Sequence, residues 1–564
     1  MKKFYLSLIA CSFSVFLFAQ DARVWGTYYG GTGNENAIAI ATDPFGNVFI
    51  AGVTGSTGMA YNGHQMTFGG GNIDAYLVKF NASGQRLWAT YYGGSGDEMP
   101  FFGGKLGIAT DNNGNVFLAG PTSSTNGIAS GGFQNANGGG YDAYLVKFDS
   151  AGVRQWGTYY GGASVDYGYN CATDAQGNVY LVGNAGSAGL ATSNAYQTTI
   201  SGSGDAFIVK FDANGSRLWA TYFGGPGTEE GMAVACDPVN NDVVLGGVTT
   251  STSGIAFQAA QGVYGGGASD AYLAKFNSAG TQVWASYFGG NGDENVLFSS
   301  DIDLAFDSLQ NCFLTGLTTS TGGVGTINAI QVNYGGGSYD GFLAEYSQGG
   351  ALYFGTYIGG SGDDRCYGVV ADSLNNVYVS GRTTSTSAIA ANGFLNTYAT
   401  NEDGFIMRLE VGVNPSFECG TYYGGNDLDW CDGVALGTAG TIYGVGSTAS
   451  LSGISQNGFQ NGFGGGQSDA YLIRMTRCSE SLEAQNTTQQ NAVSVFPNPT
   501  AGVFTIETGI NNSHVEIRNA IGEVIYATTF DAQTTVDLTH LAAGLYPCRI
   551  SASDESYNRI LVVQ

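Results

Sequence analysis

The sequence predicts an all-β fold built from one four-stranded unit used seven times. Three observations predict it. The phrase Trp25-Gly-Thr-Tyr-Tyr-Gly-Gly31 returns from Trp88, Trp156, Trp219 and Trp284, and in degenerate form from Phe354 and Cys419, at intervals of 63 to 70 residues. Each interval holds four short strand-like runs between turn signals. No part of the repeat region carries the apolar period of a helix.

The first interval justifies the elements in order. Residues 37–42 form a strand-like run that ends at Asp43-Pro-Phe-Gly46-Asn47, and residues 48–53 form the next. In such a turn the Asp side chain bonds nearby backbone N–H groups and the Gly takes the left-handed conformation. A long Thr/Ser/Gly loop leads to a third run, residues 74–80. The turn Asn81-Ala-Ser-Gly84 then leads into a fourth strand through Trp88. The chain opens on a fourth-type run, residues 24–29, and the array ends on a third-type run, residues 470–475. The N-terminal strand therefore completes the last unit, which removes the open edges of the array. The prediction is a seven-bladed β-propeller over residues 21–477, closed by its N-terminal strand.

Composition agrees and sets limits. Of 564 residues 91 are Gly and only 9 are Pro, with 13% aromatic, as expected of short strands joined by tight turns. The formal charge of −26 repels phosphate, so nucleic acid is excluded as a partner and binding to anionic membrane surfaces is disfavoured. Lys2 and Lys3 before an apolar run to Ala19 mark residues 1–20 as a signal peptide. The lipobox-like Leu8-Ile9-Ala10-Cys11 is the alternative, but the apolar run continues past Cys11. The mature chain is expected to have no transmembrane segment. Beyond Cys11, the cysteines at 171, 236, 312, 366, 419, 431, 478 and 548 are expected to be buried small hydrophobes with one or two bridges.

The recurring Asp-Ala-Tyr/Phe-x-x-Lys-Phe, Trp-x-Thr-Tyr-Tyr-Gly-Gly-x-Gly-Asp-Glu and Asp-x-x-Gly-Asn-Val-Phe/Tyr phrases resemble the SBBP β-propeller repeat of bacterial exported proteins, over about residues 22–477. The resemblance implies a fold and an extracellular setting, and no single activity. After a polar linker, residues 478–492, the phrases Val493 to Pro497-Asn498-Pro499, Gly502, Gly544-Leu-Tyr546 and the closing Ile560 to Gln564 resemble the C-terminal sorting domain (type A) of type IX secretion cargo. That resemblance covers residues 493–564, and the short alternating runs fit a small β-sandwich. It implies the type IX secretion machinery as a partner, passage across both membranes, and a secreted or outer-surface location.

The loops after the fourth strand carry acids in every copy, among them Asp97/Glu98, Asp293/Glu294 and Asp363/Asp364. The long loops after the second strand close on Asp74, Asp142, Asp205, Asp270, Asp340, Asp403 and Asp469. One face is thus acidic, glycine-rich and rich in loops, which makes it the expected binding surface. The leading reading of the acids is structural, as carboxylates capping backbone N–H groups. As ligand contacts the candidates are Asp97, Glu98, Asp293, Glu294, Asp363, Asp364 and Trp430, and calcium is the candidate cation at Asp97, Asp293 and Asp363. No other cofactor is expected. Seven near-equivalent acid loops do not single out a catalytic pair. The three histidines, His64, His514 and His540, cannot supply a triad within the repeats, so no enzyme is expected. The recurring tryptophans are read as packing residues, and Lys79, Lys147, Lys210 and Lys275 as lining a solvated strand face. The function expected is a non-catalytic binding or adhesion module for glycan or protein. The alternatives are a spacer without a ligand, or a polysaccharide hydrolase or lyase.

Overall fold

The computed structural model describes residues 23–99, 105–295, 302–412, 415–477, 494–496, 500, 502–508, 512–519, 524–542, 544–552 and 555–563. The signal peptide and linker expectations, with Cys11, Cys478, Pro497, Asn498 and Pro499, lie outside these residues. The chain divides into two compact units, residues 1–480 and 481–564.

Among the described residues of the first unit the strands form four-stranded antiparallel sheets, with no α-helix. The first sheet runs Glu35–Thr42, Val48–Thr54, Asp74–Phe80 and Arg86–Tyr92, each strand beside the next in sequence. Sheets 2 to 6 repeat that order over residues 107–160, 166–223, 229–288, 303–358 and 364–423. Sheet 7 contains Asp429–Leu436, Thr441–Thr448 and Asp469–Thr476, and its fourth strand is Arg23–Tyr29, antiparallel to Asp469–Thr476.

The two turns form as their residues dictate. Asp43 accepts bonds from the N–H of Phe45 and Asn47 at 3.0 and 2.8 Å, while Gly46 sits at φ +84°. Asn81 accepts from Ser83 and Gln85, and Gly84 sits at φ +81°.

Second and third strands such as Val48–Thr54 and Asp74–Phe80 are buried at every position. Period-2 alternation vanishes there because both faces of a sheet are covered by neighbouring sheets. Apolar clusters lie between successive sheets: Phe49, Leu77 and Trp88 of sheet 1 pack with Val116 and Tyr144 of sheet 2. Trp25, Tyr443 and Leu472 of sheet 7 pack with Val48 and Tyr76 of sheet 1.

Each tryptophan of this array spans two sheets. Trp88 is 3% exposed, its indole N–H donates to the Ser150 carbonyl of the next sheet at 3.1 Å, and a methyl built on Gly152 would lie 2.8 Å from its ring. Trp25, Trp156, Trp219 and Trp284 donate in the same way to residues 82, 213, 278 and 348.

The lysine expectation is overturned. Lys79, Lys147, Lys210 and Lys275 are buried rather than solvated, and each meets the Asp of its own sheet's first turn. Lys79 lies 3.3 Å from Asp43 and Lys210 3.0 Å from Asp174. The next sheet covers the strand face that these lysines occupy, and Lys79 also donates to Ser150 O across that contact at 3.2 Å.

The second unit has a three-stranded and a four-stranded sheet. Phe504, Ile506 and Val536 of one pack with Val515, Ile517 and Ile550 of the other, as in a small β-sandwich. Cys548 is buried in that cluster at an apolar strand position. Gly502 has φ +105° and lies against Thr539, Gly544 opens the strand Gly544–Ala552, and the Tyr546 hydroxyl donates to Ala542 O at 2.7 Å. Cys171, Cys312, Cys366 and Cys431 are likewise buried, whereas Cys419 is disulfide-bonded. No described helix is long and apolar enough to cross a membrane.

Candidate functional site

The acids of the loop face fall into three structural positions. The acid four residues after the second glycine of the pair (Glu35, Glu98, Asp166, Glu229, Glu294, Asp364 and Asp429) is fully buried in every copy. It accepts the N–H of the second glycine, as Asp429 does from Gly425 at 2.7 Å and Glu294 from Gly290 at 2.9 Å. Hydroxyls closing the second strand complete the cap: Thr122 and Ser124 on Glu98, Thr318 and Ser320 on Glu294, Thr383 and Ser385 on Asp364. Glu98, Glu294 and Asp364, also named as candidate ligand contacts, are thus turn caps enclosed by their own loops, the leading reading of these acids.

The Asp that opens the third strand is also fully buried in every copy. It accepts the loop N–H four or five residues upstream, as Asp403 does from Ala399 and Asp142 from Gly138, both at 2.7 Å. The two carboxylates meet over the first glycine of the pair. Burial, then the neighbouring carboxylate, pushes Asp142 up to about 6. Burial likewise raises Glu98 to about 8 and Glu294 to about 7, with hydroxyl bonds acting against it.

Asp97, Asp293 and Asp363 are half-buried and each bonds the glycine loop, Asp97 through both oxygens. They accept the N–H of Asn72, Ala268 and Ser338 at 2.5, 2.6 and 2.6 Å. Among the described residues no three His, Cys, Asp or Glu side chains gather where they could hold a metal ion.

What distinguishes one sheet from another lies beside these repeated caps. The residue after the buried acid is Asn36, Met99, Tyr167, Glu230, Asn295, Arg365 or Trp430, and the residue before the third-strand Asp is Ile73, Tyr141, Gly204, Ser269, Tyr339, Glu402 or Ser468. In sheets 5 to 7 these unlike residues join. The Arg365 guanidinium lies 4.2 Å from the Tyr339 ring centre, and that of Arg382 lies 4.6 Å from the Trp430 ring. Glu402 pairs with Arg382 at 3.0 Å and accepts the Trp430 indole N–H at 2.7 Å. A second group joins Tyr141, Tyr167 and Tyr169, with ring centres 5.7 and 6.0 Å apart. Trp430 is thus half-buried inside a polar cluster rather than freely exposed. Arg365, Arg382, Glu402 and the tyrosines were missed as candidates. Their signal was the failure of the repeat at those positions, which stands out once the copies are set in register.

The chain's residues 155–191 and 354–387 match the beta-propeller repeat (SBBP), and residues 494–564 match the secretion system C-terminal sorting domain. The regulatory protein FlaEY of Caulobacter vibrioides is 24% identical over 350 residues, covering 57% of this chain and 34% of FlaEY. An uncharacterized WD repeat-containing protein of Acanthamoeba polyphaga mimivirus is 22% identical over 444 residues, covering 64% of this chain and 31% of its own. The chain thus spans about a third of the length of these curated relatives. A solved Dyadobacter fermentans protein of unknown function aligns over 81% of this chain and all of its own, at 10% identity and a TM-score of 0.39. By the two family matches, the chain carries SBBP β-propeller repeats at residues 155–191 and 354–387 and a type IX C-terminal sorting domain at residues 494–564, which directs it to the cell surface for attachment or release.

Proposed function

We propose that the protein is a seven-bladed β-propeller, closed by the pairing of Arg23–Tyr29 with Asp469–Thr476, that acts at the cell surface as a non-catalytic binding module. Its ligand is a glycan or protein engaged on the loop face. One observation carries the reading: the repeated residues of that face cap their own loops, whereas the unlike ones, Tyr339, Arg365, Arg382, Glu402 and Trp430, cluster in blades 5 to 7. Aromatic rings edged by planar charged groups offer stacking and hydrogen bonding together, the combination enriched where binding energy concentrates.

The test is a glycan array and a surface-protein pull-down with the full chain, repeated with Trp430→Ala and Arg382→Ala. Ligands retained by the wild type should weaken at least about tenfold in either variant at unchanged melting temperature, the loss of about 1.4 kcal/mol expected of one anchoring contact. Equal binding by both variants overturns the assignment of the site.

A further inference from the structure

We propose that the two buried carboxylates meeting where one blade passes to the next share a single proton, so that the propeller carries a ring of acid dyads that tie its loops together in the protonated state. Asp403 and Asp429 show the geometry. Both are fully buried, and a methyl built on Gly424 would lie 2.6 Å from Asp403 Oδ1 and 2.8 Å from Asp429 Oδ2, so the two oxygens converge on one spot beside the glycine. Asp429 is satisfied by the Gly425 N–H, by Ser450 Oγ at 2.7 Å and by Thr448 Oγ1. Asp403 Oδ2 takes the Ala399 N–H, but Oδ1 has no donor. The same orphan Oδ1 recurs on Asp74, Asp142, Asp270, Asp340 and Asp469; only Asp205 differs, where Gly202 N–H reaches it at 3.4 Å.

A buried acceptor without a donor beside a second buried carboxylate is doubly unfavourable. One proton on the facing carboxyl relieves both problems, because it supplies the missing O–H donor and removes one of two like charges. Among the described residues no ion pair reaches either Asp403 or Asp429. The titratable groups facing the pair are Asp427, Tyr28, Tyr398, Tyr422 and Tyr423, none of which brings a positive charge. Burial is the largest cause raising both aspartates to about 6, with the charge of Asp429 adding to the rise at Asp403 and that of Asp427 at Asp429. Asp340 and Asp469 rise to about 7, again first by burial and then by the facing acid.

The sign follows from linkage. The folded state holds protons that the unfolded chain has released, so stability is full below the ordinary carboxyl range. It falls as pH rises through about 6 to 8.

The experiment is infrared spectroscopy of the full chain across pH, reading the protonated-carboxyl C=O band, beside thermal unfolding with and without millimolar calcium. At about pH 6, where ordinary carboxyls are ionised, the wild type should show that band. It should lose more than half of it by about pH 8.5, with a parallel fall in melting temperature. Asp403→Asn supplies a permanent N–H donor in place of the proton, and it should weaken the band and flatten the pH dependence of melting. Absence of the band near pH 6 overturns the proposal, and so does its replacement by bound calcium with a rise in melting temperature. If Asp403→Asn does not fold, the wild-type band still decides.

Discussion

Lys79 shows how far a single side chain's role depends on a neighbour. The residue is 4% exposed, and its ammonium sits between the Asp43 carboxylate at 3.3 Å and the Phe49 ring at 4.9 Å. Asp43 therefore does two jobs, holding its own turn and neutralising a buried cation. Asp43→Ala should cost about 3–5 kcal/mol in denaturant unfolding, because it leaves the lysine charge uncompensated. Adding Lys79→Met should recover a large part of that loss. If the double variant is no more stable than the single, turn capping rather than charge is what Asp43 contributes. The Lys-Phe pair of the repeat was legible as a strand, but its burial was not. Alternation of apolar and polar residues reads as one wet face only when that face has no neighbour.

At the scale of the element, the fourth strand is the part that joins one blade to the next. Its tryptophan reaches over the third turn of the following repeat, where Gly152 lies against Trp88 at φ +82°. The turn glycine therefore serves both the left-handed backbone and close approach to the ring. Trp88→Ala should destabilise by about 3–5 kcal/mol in thermal or urea unfolding, as for a large buried aromatic, while Gly262→Ala, at an exposed glycine with open space around it, should cost far less. Strand order, both turns and the packing role of the tryptophans were legible because each rests on residues close in sequence. Which turn each indole would reach was not, since Trp88 and Ser150 stand 62 residues apart.

For the whole molecule, the pairing of Arg23–Tyr29 with Asp469–Thr476 is the decisive contact. Strand ends so far apart in sequence pair from Arg23–Met475 to Tyr29–Ala470, with one bulge between Arg23 and Trp25. Deleting residues 23–29 from the full chain should expose Asp469–Thr476 as an unpaired edge. Size-exclusion chromatography should then show association, with a lower melting temperature. A monomer of unchanged stability would argue that the pairing does not hold the blades together.

Repetition carried the all-β class, the strand and turn positions and the pairing expected of the first strand, and the tail phrases carried the sorting domain, because each is written in local residue type and spacing. The tertiary structure decided which charges are dry, which acids cap and which face one another. It also decided that Arg382, Glu402 and Trp430 form one cluster across 48 residues of chain. The physical reason is that a period fixes what each repeat contains, whereas burial and partnership depend on the neighbouring repeat that covers it.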